Sequence, residues 1–127
     1  MSTLRTNALE GVDAKNSITI VAGAGNITTT NVQKGLAKVW SNTEGNGETL
    51  NDSFNVSSLG DSATGQQNIN FTNPLSNAFG ATTMCPKSNI DQEWEQSKTT
   101  LLSNIRAYNG SNYADMGLMI EIAGELA

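Results

Sequence analysis

The chain has 127 residues, 37% of them hydrophobic, with 12 glycines. That apolar share suits one ordinary domain, or a small domain with an arm, and excludes disorder throughout. The net charge is -5, the seven Lys and Arg residues are scattered, and histidine is absent. This excludes nucleic-acid binding through a basic stripe and leaves acid–base catalysis with little but carboxylates.

About a third of the positions are Asn, Ser or Thr, against 15% charged residues. Such a surface favours turns and exposed strand faces over long helices. The N-terminal "MSTLRTNALEG" has no apolar core of the signal-peptide kind, and no run approaches membrane-spanning length. Synthesis in a cytosol, without membrane insertion, is therefore expected.

Residues 1–35 read as an arm. In "NSITIVAGAGNITTTNVQ", Ile18 and Ile20 alternate with Ser17 and Thr19, Val21 leads into glycines, and Ile27 and Val32 follow among threonines. The pattern predicts two or three very short strands with glycine bends. Too few apolar side chains are present to bury the segment, so Ile18, Ile20, Val21, Ile27 and Val32 are expected to meet copies of the chain or a larger assembly.

Residues 36–127 read as a head domain of regular strands. "LAKVWSN", "SFNVSSL" with Phe54 and Val56 two apart, "QNINFTN" with Ile69 and Phe71, and "FGATTMC" each fit a half-buried strand. The clusters "TEGNGETLND" and "GDSATGQ" supply turns between them. "PKSNIDQEWEQSK" interrupts the pattern with Pro86 and a charge cluster. "TTLLSNIRAYNG" reads as a strand entering a hairpin at Asn-Gly, although Leu101, Leu102 and Ile105 also fit one face of a helix. "MGLMIEIAGELA" alternates Leu118, Ile120 and Ile122 with Met119, Glu121 and Ala123, the clearest strand of all. The whole predicts an all-β, antiparallel meander or sandwich.

Few residues suggest chemistry. Asp91, Glu93 and Glu95 recur two apart around Trp94, so an extended backbone puts all three carboxylates on one face. Glycoside hydrolysis or calcium binding would use such acids. No calcium-loop pattern accompanies them, and a solvated loop is the expected reading. Trp94, Tyr108 and Tyr113, with Trp40, are core or interface anchors or a stacking surface for a host glycan. Leu36, Lys38 and Trp40 share one side of their strand and Ala37 and Val39 the other, so one face meets the core and the other a neighbouring subunit. Cys85, the one cysteine, has no partner for a disulfide and no histidine to activate it; it reads as a small core or strand-end residue. No cofactor and no metal site are expected.

Several ordered elements resemble structural proteins of tailed bacteriophages, of the kind labelled tail fibre or virion fibre proteins. They are "MSTL" at Met1 to Leu4, "GLAKVW" at Gly35 to Trp40, "EGNG" at Glu44 to Gly47, "DSFNVSSL" at Asp52 to Leu59, Thr64-Gly65, and "INFTNPL" at Ile69 to Leu75. The likeness covers roughly the first 75 residues. It implies a sandwich-like, jelly-roll-like head in a homotrimer, with residues 1–35 threading into the trimer or docking on other virion proteins of capsid or tail. Together with the composition it implies a non-enzymatic virion protein, a small knob, short fibre or decoration, with Trp40 and Phe54 as further assembly anchors. The alternative is a receptor-binding tip that contacts glycan through Asp91, Glu93, Trp94, Glu95, Tyr108 and Tyr113.

Overall fold

The computed structural model describes residues 19–22, 28–31, 36–44, 48–87 and 92–127. Every regular element among them is a β-strand, and every strand pairing is antiparallel. The chain divides into two units, Met1–Leu36 and Ala37–Ala127. In the first, β1 (Thr19–Ala22) pairs with β2 (Thr28–Asn31), with Ile20 opposite Thr30 and Val21 opposite Thr29. Two short strands thus stand where the Ile/Thr pattern predicts them. Ile18, Ile27 and Val32 lie outside the described residues.

The second unit contains eight strands: β3 (Ala37–Thr43), β4 (Leu50–Phe54), β5 (Val56–Ala63), β6 (Gln66–Phe71), β7 (Ala81–Pro86), β8 (Gln92–Lys98), β9 (Leu102–Tyr108) and β10 (Leu118–Ala123). They form two four-stranded sheets, ordered β4-β3-β10-β7 and β5-β6-β9-β8. Burial follows the period-2 pattern of half-buried strands. Val39, Ser41 and Thr43 turn inward from β3, Leu118, Ile120 and Ile122 from β10, Gln67, Ile69 and Phe71 from β6, and Ser103, Ile105 and Ala107 from β9. These side chains, with Leu75 and Met116, make one core shared by both sheets, as in a β-sandwich. Each fully buried aliphatic chain in it contributes roughly 1.5–3 kcal/mol relative to exposure. Thr43 and Gln67 are polar but not orphaned. Thr43 Oγ1 accepts the Leu118 N–H at 3.1 Å and stands 3.3 Å from Gln67 Oε1 of the facing sheet.

Two local features route the chain. Asn55 separates β4 from β5 and has φ 60°, a left-handed conformation that Asn tolerates better than most residues. Its side chain fixes the corner: Nδ2 donates to Lys38 O at 3.0 Å and Asn73 O at 3.1 Å, and Oδ1 accepts the Asn73 N–H at 2.7 Å. At the β5–β6 turn Gly65 has φ 69°, and a Cβ there would lie 2.7 Å from Ala107 O and from Ala114 N. Its N–H donates to Asp115 Oδ1 at 2.6 Å.

Three expectations are corrected. "SFNVSSL" is not one strand, because the left-handed Asn55 turns the chain from one sheet to the other; Phe54 ends half-exposed while Val56 packs on the core. "DQEWEQSK" is mostly strand, not a break: β8 forms because its bulge and its pairing to β9 accommodate the charges. The strand order also departs from a jelly roll, in which successive strands alternate between sheets. Here β3–β4, β5–β6 and β8–β9 are each neighbours within one sheet, held by short turns such as Thr64-Gly65 and by Thr99, whose Oγ1 accepts the Leu101 and Leu102 N–H groups at 3.1 Å.

Candidate functional site

The residues singled out from sequence fall on three different surfaces. The first is the inner side of β8. Glu93 pairs with Ala107 and Glu95 with Ile105, both buried, so both carboxylates point between the sheets rather than into solvent. A register shift between Glu95 and Ser97 brings Lys98 back to the same side, opposite Ser103. Lys98 Nζ donates to Glu95 Oε2 at 2.9 Å, to Thr82 Oγ1 at 2.8 Å and to Gly80 O, which joins β8 to the chain at and before β7. Glu95 Oε1 accepts from Thr82 Oγ1 at 3.0 Å and from Ser103 Oγ. Glu95 is therefore committed to a structural network.

Glu93 differs. Its Oε2 is inaccessible and has no hydrogen-bond partner among the described residues, and desolvation pushes its carboxyl above the usual carboxylate range. The expected solvated loop of acids is thus overturned for Glu93 and Glu95, because the strand's alternation turns them inward. Asp91 lies outside the described residues. β8 is the edge of its sheet, and a bulge with inward-pointing charges is a recognised device against edge-to-edge pairing. No group of three or more His, Cys, Asp or Glu arranged to hold a metal occurs among the described residues.

The second surface is the outer face of the sheet β4-β3-β10-β7. Trp40 stands directly opposite Phe54 on β4 and opposite Glu121 on β10. Phe54 is 49% exposed and Met119 46% exposed. Neither Trp40 nor Phe54 belongs to the core, which Val39 joins from the other side of β3. Cys85, next to the end of β7 and paired with Met119, is exposed.

The third surface is the outer face of β5-β6-β9-β8, and it gathers the aromatic residues. Trp94 pairs with Arg106, and Tyr108 bridges to Tyr113. Tyr113 is central: its ring lies 6.3 Å from that of Trp94 and 5.8 Å, edge-on, from that of Tyr108, and the Arg106 guanidinium sits over it at 5.1 Å. Arg106 Nε donates to Gln96 Oε1, which holds the guanidinium in place. Amides continue the face, with Asn104 donating to Asn68, Asn68 to Ser62 Oγ, and Asn70 to Ser58 Oγ at 3.1 Å. Sequence reasoning found the three aromatics but missed Arg106 and Gln96. Taking "SKTTLL" as a turn with Lys98 opposite Ser103 would put Ala107 opposite Trp94; the register shift between Glu95 and Ser97 is what brings Arg106 there, and the sequence carries no signal for it.

Comparison with protein-family models, with curated proteins and with solved structures finds no match.

Proposed function

We propose that the protein is a non-enzymatic structural protein of a tailed-phage virion, a small homotrimeric knob, short fibre or decoration whose second unit is displayed. The ordered sequence elements from "MSTL" to "INFTNPL" support the virion reading. The observation that carries the assembly reading is the Trp40–Phe54 cross-strand pair on an outer sheet face, with Phe54 about half-exposed and Met119 open nearby. Large apolar rings that the core does not take gain by meeting another subunit. The short β1–β2 hairpin supports a role in assembly for residues 1–35, since two strands are marginal alone and gain from further pairing. A surface rich in Asn, Ser and Thr fits persistence and contact without chemistry.

The test is the solution mass by light scattering of the full chain and of a form lacking residues 1–35. A trimer that falls to monomer on truncation supports the reading, and a monomer in both forms overturns self-assembly.

A further inference from the structure

The outer face of β5-β6-β9-β8 combines three features that together specify a ligand. The first is an accessible aromatic cluster, in which Tyr113 is 46% exposed and is flanked by Trp94. The second is a positioned cation. Among the described strand residues of this face Arg106 is the one charged side chain, it forms no ion pair with any described residue, and its Nε is already bonded to Gln96. Its Nη groups bond to no described residue, and a guanidinium's planar fork of donors is the arrangement that recognises carboxylates. The third is a cross-strand row: Trp94, Arg106 and the amide of Gln66 stand opposite one another across β8, β9 and β6, a span of two strand spacings, about 10 Å.

Asp61 and Asp115 line one concavity together with Arg106 and Gln66, but neither is within ion-pair distance of Arg106, and Asp115 is bonded to the Gly65 N–H at 2.6 Å.

We infer that this face binds a carboxylate-bearing saccharide, about a disaccharide in length. The C–H face of one sugar ring lies on Trp94 and Tyr113, its carboxylate meets the Arg106 Nη donors, and Gln66 bonds a hydroxyl. An aromatic surface alone suits any sugar; the Arg106 guanidinium on this face selects an acidic one. Gln96 is a positioning residue, acting through Arg106. The inference rests on this face alone and is independent of the proposed assembly.

The experiment uses the full chain and immobilised probes in matched pairs: oligogalacturonate with its methyl ester, and a sialic-acid-terminated trisaccharide with the disaccharide lacking sialic acid. Retention of at least one acidic member, at least tenfold tighter than its neutral match, is expected, with that preference lost in Arg106→Gln. Absence of binding to every acidic member, equal binding to both members of each pair, or a preference unchanged in Arg106→Gln overturns the inference. Should Arg106→Gln fail to fold, Trp40→Phe leaves Trp94 as the single indole. A shift of its emission on adding the retained acidic saccharide then supports the site, and an unmoved spectrum overturns it.

Discussion

Lys98 Nζ lies 2.9 Å from Glu95 Oε2 in the space between the two sheet edges, and the lysine side chain is only 4% exposed. Its three donors are all used, on Glu95, Thr82 and Gly80. Removing the cation leaves a carboxylate facing the interior without its partner, the costly way to break such a pair. Lys98→Met is expected to lower stability by about 3 kcal/mol, the low end for buried pairs because Glu95 keeps about a fifth of its surface in solvent. Urea unfolding measures this. Adding Glu95→Gln to Lys98→Met should recover part of the loss, since no charge is then stranded.

Glu93 gives a pH dependence of known sign. Its folded carboxyl titrates above the ordinary value of about 4.3 because burial disfavours the charged form, so the folded chain binds the proton more tightly than the unfolded one. Its contribution is fully present below the unfolded value and is lost as pH rises through the folded value. Glu93→Gln should therefore gain stability relative to the parent as pH rises to 7, with the difference shrinking on acidification. Glu44 contributes the opposite slope, being held low by the Asn51 amide and Lys87. The comparison of thermal unfolding between variant and parent, at several pH values, isolates Glu93.

Asn55 combines a strained backbone with a hydrogen-bonded side chain, and two substitutions separate these. Asn55→Gly keeps the left-handed φ at no steric cost but loses the bonds to Lys38 O, Asn73 O and the Asn73 N–H. Asn55→Ala loses the bonds and adds the conformational penalty. Alanine should be the worse by about 1 kcal/mol in denaturant unfolding, with both below the parent.

Gly65 and Gly60 make a matched pair of tests in and beside one turn. Gly65→Ala puts a Cβ against two backbone atoms at 2.7 Å and demands φ 69°, and a loss of at least about 2 kcal/mol is expected. At Gly60 the nearest atom to an added Cβ is Asn68 Cβ at 3.5 Å, an ordinary contact, so Gly60→Ala should stay within about 0.5 kcal/mol of the parent. Thermal unfolding of the two variants decides.

What could be read in advance follows from what each signal encodes. Alternation identified β6 and β10 because Ile69, Phe71, Leu118, Ile120 and Ile122 sit on strands in the middle of sheets, where one face is dry and the other wet. β8 was missed because an edge strand protected by inward charge inverts that code: Glu93, Glu95 and Lys98 occupy the positions where apolar residues are looked for. The break at Asn55 was hidden because "SFNVSSL" keeps its period through the corner, and one residue's backbone angle does not alter the spacing of its neighbours. The aromatic cluster was named piecemeal. Its assembly depends on the β8–β9 register, which no single segment contains.

The placement of β10 between β3 and β7 bears on how the molecule is made. Leu118, Ile120 and Ile122 come from a strand near the end of the chain, yet they fill the middle of the core, beside the strand that opens the unit. A ribosome that has delivered everything up to Met116 has delivered all four strands of β5-β6-β9-β8 but left the other sheet with a gap between β3 and β7, so that the core lacks one of its walls. Collapse into the native state must wait for the last strand to emerge, and a nascent chain halted before Leu118 should be as vulnerable to proteases as an unfolded one.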